Sequence, residues 1–247
     1  MKRREYKLRI IDSNVKELTN RSQKNVFITG FQGFGGVGYL TTRYIVTKLN
    51  MRLIGCIEPL EIPDFTSVED YGFSYPHEIF LTTLNNTNIF VLLNRVNPER
   101  KRLSNFVETV IEAIKELHIN EVYLVGGLDA RFREGNEEFR WLKTSSASVS
   151  IEAPYFIKGA YIVGPLAALL LSLERSGIPA VAVFPYTEPE SIDPKAAAIA
   201  IKVLSSLLKI EIDVGELMNY AEKIEEIEKN IQEVLASTER KESIMHT

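Results

Sequence analysis

Short apolar runs alternate along this chain with longer segments of helical periodicity. Strands are predicted at residues 26–29, 53–58, 78–82 and 89–94, in "EVYLVGG" and in "AVAVF", and helices near 37–49, over "RLSNFVETVIEAIKELH", from about 163 to 176 and after Asp193-Pro194. Buried strands joined by helices form parallel sheets that are covered on both faces. The sequence therefore predicts a three-layer α/β fold with a mostly parallel or mixed sheet.

Two regions depart from this alternation. Residues 128–144 are charged, broken by glycine and aperiodic, so a long loop is predicted there, with "SVSIE" as a weak strand after it. Residues 1–212 are predicted to form the α/β core with an N-terminal arm, and residues 213–247 a C-terminal helix and a mobile tail. The turn between the strands at 78–82 and 89–94 is predicted at "LNNTN".

Apolar residues of the C-terminal segment repeat at steps of three and four, as in a coiled coil. Branched residues at both core positions of a coiled coil favour bundles of three or more helices. This predicts a homo-oligomer of at least three subunits. Packing of the same residues against the parent domain is the open alternative. We call these residues the seam: Leu217, Tyr220, Ile224, Ile227, Ile231 and Val234.

Composition narrows the classes of function. The 247 residues are 45% hydrophobic and carry a net charge of -4, which disfavours a broad nucleic-acid-binding surface. The longest apolar run, "AYIVGPLAALLLSL", is too short to span a bilayer, and no signal peptide is recognised. The single cysteine, Cys56, cannot form an internal disulfide. A cytoplasmic protein without membrane or nucleic-acid partners is expected.

The segment "NVFITGFQGFGGVGYL" contains a G-x-G-x-x-G pattern after a predicted strand. An acidic residue, Glu58, follows at the distance expected in a dinucleotide-binding unit. However, Gly33 comes three residues after the strand, and reading the pattern from Gly30 places Gln32 where the second glycine is needed. Two phenylalanines also lie in the loop. The alternatives are a nucleotide-binding loop and a glycine-rich turn that allows close packing.

Other chemistry-bearing residues give no catalytic or metal-binding spacing. His77 is predicted in a loop and His118 at a helix end, and Cys56 lies in an apolar strand as an inert thiol. Asp129 follows a strand, but the acids after it are mixed with arginines, which favours surface ion pairs. No cofactor, metal or catalytic residue is predicted. A candidate ligand crevice, which an enzyme or ligand sensor would use, contains Gly33, Gly35, Gly36, Gly38, Asp129 and Arg131.

Four segments in order resemble the archaeal branch of the proteasome-assembly-chaperone family, the second of its numbered chaperones. They begin with "ITGFQGFGGVGYLTTRYIVTKLNMRLIGCIEPLEIPDF" and "EVYLVGGLDAR", and continue with "GAYIVGPLAALLLSLERSGIPAVAVFPYTEP" and "DPKAAAIAIKVLSSLLKIEIDVGELMNYAEKIEE". The resemblance spans residues 26–228. It implies a phosphorylase/hydrolase-like α/β core with an appended helical segment. It also implies a non-enzymatic, homo-oligomeric, ATP-independent chaperone or adaptor with the proteasome core as client.

The resemblance also directs attention to the C-terminus. Some archaeal relatives end in a hydrophobic residue, a tyrosine and any residue, and this tail docks in pockets of the proteasome ring. The present chain ends Met245-His246-Thr247, so Met245 fits the pattern and His246 replaces the tyrosine. The imidazole of histidine lacks the reach of a phenol. Near its pKa, part of the histidine population also carries a positive charge. Docking through this tail is therefore expected to be weak.

Overall fold

A computed structural model describes residues 5–15, 19, 23–61, 64 and 66–224. The strands are β1 (Tyr6–Ile10), β2 (Lys24–Gly30), β3 (Arg52–Pro59), β4 (Val68–Glu69), β5 (Gly72–Phe73), β6 (His77–Leu84), β7 (Thr87–Asn94), β8 (Glu121–Val125), β9 (Leu128–Asp129), β10 (Phe139–Lys143) and β11 (Ala180–Thr187). The helices are α1 (Val37–Lys48), α2 (Leu103–Glu116), α3 (Gly164–Arg175) and α4 (Pro194–Leu208). Residues 215–224 are also helical.

Nine strands form one mixed sheet in the order β1-β3-β6-β7-β2-β8-β11-β10, with β9 extending the pairing of β11. The central strands β7, β2, β8 and β11 run parallel. Antiparallel pairs complete both edges: β1 with β3, β3 with β6, β6 with β7, and β10 with β11. Strands β4 and β5 form a separate small hairpin. The predicted mixed sheet is confirmed.

Helices cover both faces of the sheet, so the three-layer prediction is also correct. Helices α1 and α4 pack together on one face, and α2 and α3 pack on the other. Each face has its own apolar core: Phe27, Phe106 and Leu169 belong to one, and Ile28 and Ile201 to the other. Neighbouring residues of β2 thus point to opposite cores, as the alternation of side chains along a strand requires.

The predicted turn at "LNNTN" joins β6 to β7. Asn85 and Asn86 both have positive φ angles, 48° and 60°. A two-residue hairpin whose central residues both have positive φ matches the twist of its flanking strands, and asparagine tolerates this conformation better than most residues. The local sequence therefore determines this turn.

The structure corrects three sequence predictions. Residues 128–144 are not one long loop, because they contain β9, a short 3-10 turn and the edge strand β10. The segment "SVSIE" forms no strand. His77 begins β6 instead of lying in a loop. Its ring is buried, with Nδ1 2.9 Å from Asn94 Oδ1. His118 does lie at the end of α2, where its φ of 50° terminates the helix.

A buried ion pair fastens the β4–β5 hairpin to the sheet. The Glu78 carboxylate on β6 is fully buried and accepts a hydrogen bond from Arg95 Nε at 2.6 Å. Arg95 also pairs with Glu69 of the hairpin at 2.8 Å. The hydroxyl of Tyr71 donates to the Glu78 carboxylate at 2.7 Å. One guanidinium thus neutralises a core carboxylate and holds the hairpin.

Replacing Arg95 with leucine should lower the free energy of unfolding by about 3 kcal/mol, because Glu78 is left buried without its counter-ion. Urea denaturation measures the change. The matched control is Arg9→Ala, which removes an exposed pair with Glu58 and should cost much less, because solvent screens exposed ion pairs. Adding Glu78→Gln to Arg95→Leu should restore part of the loss. Equal effects of the two single variants would contradict this assignment.

Candidate functional site

The glycine loop lies between β2 and α1, and its glycines have distinct roles. A Cβ atom on Gly38 would lie 2.6 Å from the backbone nitrogen of Phe31 and from the carbonyl oxygen of Val125. A Cβ atom on Gly30 would lie 2.5 Å from Gly38 Cα. These two glycines therefore allow the strand and the helix to approach each other. Gly35 adopts a positive φ of 62°, which favours glycine.

Three consecutive backbone amides of the loop are used within the protein. The N–H of Gly36 donates to the Gly33 carbonyl oxygen at 2.9 Å, and that of Gly35 donates to Pro189 O at 3.4 Å. The next N–H, that of Val37, donates to the carbonyl oxygen of Phe34. A phosphate-binding loop needs such amides pointing at the ligand. The loop is thus built as a packing turn, hydrogen-bonded to the segment that follows β11.

The position of Glu58 also disagrees with a dinucleotide site. In a dinucleotide site, the acidic residue lies at the end of the strand that neighbours, in the sheet, the strand leading into the glycine loop. Here β6 and β7 lie between β3, which carries Glu58, and β2, which leads into the glycine loop. Because neighbouring strands are about 4.8 Å apart, β3 lies about 14 Å from β2. Its carboxylate pairs with Arg9 at 3.1 Å. Of the two readings of the loop, the packing turn agrees with the structure.

A crevice does lie beside the carboxyl ends of β2 and β8, where α/β proteins place their ligands. Its volume is about 670 Å³. Three of the six predicted crevice residues line it: Gly33, Asp129 and Arg131. The other three do not: Gly35 faces the Thr187 side chain, Gly36 is the N-cap of α1, and Gly38 packs against β8.

The charges at the crevice pair with each other. The Asp129 carboxylate accepts two hydrogen bonds from Arg131, Nε to Oδ1 at 3.0 Å and Nη2 to Oδ2 at 2.5 Å, and a third from its backbone N–H. The Arg131 side chain thereby lowers the pKa of Asp129 and has its own pKa raised by the same pair. A carboxylate held ionised in this way is unsuited to act as a general base near neutral pH.

A second network stabilises the segment between β9 and β10. Arg140 is buried, and its Nε donates to the Tyr186 hydroxyl at 2.6 Å while its Nη2 donates to Glu134 at 2.7 Å and to Glu137 at 3.1 Å. Backbone hydrogen bonds, together with those from Tyr186 and Arg140, lower the pKa of Glu137 to about 2. The guanidinium of Arg133 lies 4.8 Å from the Tyr186 ring centre. Several of the predicted ion pairs are therefore structural.

Cys56 and His77, which lie elsewhere in the described part of the chain, are both held in their neutral forms. Burial raises the pKa of Cys56 to about 12, so its thiol stays protonated near neutral pH. Burial lowers the pKa of His77 to about 4, which keeps that imidazole neutral. Among the described residues, no group of three or more His, Cys, Asp or Glu side chains could hold a metal ion. In the same part of the chain, every helix is too short or too polar to cross a membrane.

Sequence reasoning missed the apolar residues at the mouth of the crevice. Tyr161 is 91% exposed and Val163 66% exposed, and both line the crevice together with the half-exposed Phe34 and Phe132. The available signal was the placement of the apolar "AYIV" between two glycines, Gly159 and Gly164. Clusters of exposed apolar side chains mark binding surfaces.

The described part of the seam lies against the domain and partly faces solvent. Leu217 is buried and belongs to the apolar core on the sheet face that α1 and α4 cover, whereas Tyr220 is 53% exposed. The adjacent turn is fixed by the Tyr44 hydroxyl, which donates to Asp213 O at 3.0 Å. Ile224 is half-buried. The remaining members of the seam and the tail lie outside the described residues: Ile227, Ile231, Val234, Met245, His246 and Thr247.

Comparison with known proteins places the chain in a family. The model of the PAC2 family matches residues 27–232, so the chain belongs to the PAC2 family. The uncharacterized protein MJ1210 of Methanocaldococcus jannaschii is 26% identical over 257 residues, which cover 96% of this chain and 95% of that protein. The resemblance inferred from the sequence is thereby confirmed.

Solved structures share the fold. PbaA of Pyrococcus furiosus, described as an archaeal homologue of proteasome-assembly chaperone, superposes with a TM-score of 0.71 at 22% identity, covering 92% of this chain and 96% of its own. PbaB of the same organism, described as an archaeal proteasome activator, gives a TM-score of 0.73 at 16% identity, covering 93% and 100%. These similarities show that the α/β architecture is that of PAC2 proteins.

Two glycines of the loop give a matched test of this site. Gly38→Ala should lower the free energy of unfolding by about 2 kcal/mol, because overpacking of about 3 kcal/mol exceeds a gain in helix propensity of about 1 kcal/mol. Gly33→Ala should change it by less than about 0.5 kcal/mol, since its Cβ would meet nothing within 4 Å. Urea denaturation measures both. Similar values for the two variants would disprove the packing role of Gly38.

Proposed function

We propose that this protein is a non-enzymatic, ATP-independent chaperone or adaptor that acts as a homo-oligomer and binds other proteins, with the proteasome core particle as its client. Membership of the PAC2 family carries the proposal. The structural similarity to PbaA, a homologue of proteasome-assembly chaperone, and to PbaB, a proteasome activator, supports the choice of client. The cytoplasm is the compartment we propose.

Independence from ATP is supported by the glycine loop. Its consecutive amides, from Gly35 to Val37, donate to carbonyl oxygens of the protein. A nucleotide would have to break these hydrogen bonds to bind there. The absence of catalysis is supported by the pairing of Asp129 with Arg131 and of Arg140 with Glu137, because a catalytic acid or base must be able to exchange its proton.

Binding to the proteasome tests the proposed function directly. The full chain, immobilised, should retain purified core particle or its unassembled subunits from the same organism, and omission of ATP should leave the retained amount unchanged. Retention is measured by mass spectrometry of the eluted subunits. A chain unrelated in fold, immobilised at the same density, is the control. Absence of retention in every assembly state would refute the proposed client, and a requirement for ATP would refute the mode of action.

The C-terminal tail gives a separate test of docking. Wild-type protein should stimulate peptide hydrolysis by the core particle weakly or not at all, and His246→Tyr should increase the stimulation, because tyrosine restores the aromatic hydroxyl of the docking pattern. Deleting residues 245–247 should abolish any stimulation that remains. A strong stimulation by the wild type that this deletion removes would show instead that the histidine tail is a fully effective dock.

Association of subunits through the seam can be measured by native mass. We expect three or more subunits, and replacing Ile224 and Ile227 with aspartate should lower the mass, because charges in an apolar helix interface cannot be solvated. The control is Leu171→Asp, on an exposed position of α3. An unchanged oligomer in the double variant, or a monomeric wild type, would mean that this helix packs only on its own domain.

A further inference from the structure

We propose that the crevice beside the ends of β2 and β8 is a binding site for a neutral, largely apolar small molecule. This goes beyond the protein-binding function and does not depend on it. The volume of about 670 Å³ is within the range of about 300–1,000 Å³ typical of small-molecule sites. The position, outside the carboxyl ends of parallel strands, is where open α/β sheets bind ligands.

The walls of the crevice define the chemistry of the ligand. They are formed largely by apolar side chains from both cores and from the segment before α3. A ligand that covers such surfaces removes apolar area from water, at about 25 cal/mol for each Å². The principal apolar residues of the wall are Phe31, Val125, Leu128, Phe156, Leu166 and Phe184.

Four polar side chains at the crevice, those of Gln32, Asn97, Asp129 and Arg131, are engaged by the protein. The amide nitrogen of Gln32 donates to Arg95 O at 2.7 Å, and that of Asn97 donates to Gln32 O at 2.6 Å. The Asp129 carboxylate is neutralised by Arg131. An ion that enters the crevice would lose its hydration without finding a free counter-charge there, which is costly. A neutral ligand avoids this cost.

A flap closes the crevice over the ligand. The flap comprises residues 159–164, and its first and last residues, Gly159 and Gly164, have φ angles of 86° and 76°. Glycine at both ends allows the backbone to change conformation with little steric cost. Between them, Tyr161 and Val163 expose most of their apolar surface at the mouth. Closure buries both side chains against the ligand, as in other proteins whose loops close on binding.

Two fluorescent probes test the chemistry on the full chain. N-Phenyl-1-naphthylamine is neutral, whereas 8-anilinonaphthalene-1-sulfonate has nearly the same rings and a negative charge. We expect one saturable site per chain for the neutral probe, with an affinity at least about tenfold higher than that of the sulfonate. Absence of a saturable site for the neutral probe, or equal affinity for the sulfonate, would overturn the proposal.

A substitution that fills the crevice locates the site. Gly33 lines the crevice, its φ of -137° suits any residue, and its Cβ would meet nothing within 4 Å. Gly33→Trp should therefore leave the fold intact and weaken binding of the neutral probe at least about tenfold. The matched control is Val68→Trp, which adds the same indole at an exposed position of the β4–β5 hairpin and should bind as the wild type does.

Circular dichroism and the thermal midpoint establish that each variant is folded. If Gly33→Trp is unfolded, Ala160→Trp fills the same space from the flap and takes its place. If a folded crevice variant bound the neutral probe with wild-type affinity, the proposed location would be overturned. The same conclusion would follow if Val68→Trp weakened binding of the probe as much as the crevice variant does.

Hydrogen exchange tests closure of the flap. Saturation with the neutral probe should slow amide exchange of residues 159–163 at least about fivefold, because closure removes these amides from open solvent. In the folded crevice variant the same concentration of probe should have no effect. Unchanged exchange in the saturated wild type would overturn closure of the flap.

Discussion

The close approach of β2 and α1 determines the arrangement of the rest of this protein. Gly38 lies so near the backbones of Phe31 and Val125 that any side chain would push the helix from the sheet. With the helix in this position, the glycine loop turns toward the segment after β11 and hydrogen-bonds to it at Gly35. The opposite side of the loop is left open, and there Gly33 and Phe34 form part of the crevice wall.

The charged side chains in and near the crevice pair with each other. Asp129 ends β9, Glu137 precedes β10 and Arg140 lies near the start of β10. Catalytic residues of α/β proteins are often found near strand ends, but each of these three is engaged in an ion pair. The pairs hold the segment between β9 and β10 in place beside the mouth. What remains available for a ligand is apolar surface, which agrees with a protein that acts by binding.

A protein-binding role and a small-molecule crevice are compatible in one PAC2 protein. The seam and the tail belong to the C-terminal segment, whose described part reaches the end of α1, where Lys48 Nζ pairs with Glu216 at 2.8 Å. The crevice lies near the start of α1, next to Gly33. Because α1 has 12 residues at a rise of about 1.5 Å each, the described start of the C-terminal segment and the crevice are separated by about 18 Å along the helix.

The sequence alone determined the features that depend on local interactions. The amphipathic α2, the start of α4 at Asp193, whose side chain accepts the Ala196 N–H at 2.8 Å, and the asparagine turn between β6 and β7 were all predicted. Their signals lie within a few residues of one another, because periodicity, capping and positive φ act over one or two turns of chain. The alternation of these elements was enough to give the layered fold.

Only the tertiary structure decided features whose partners are distant in sequence. Strand β10 was missed because one of its charged residues, Arg140, is buried in a network that includes Tyr186, 46 residues later, together with Glu134 and Glu137. The glycine pattern left a nucleotide-binding loop and a packing turn as alternatives, and the hydrogen bond from the Gly35 amide to Pro189, which supports the turn, is visible only in the folded chain. The crevice likewise joins the end of β2 to the flap before α3. The physical reason is that burial and pairing of polar groups depend on which segments meet in space, and periodicity within one segment does not reveal this.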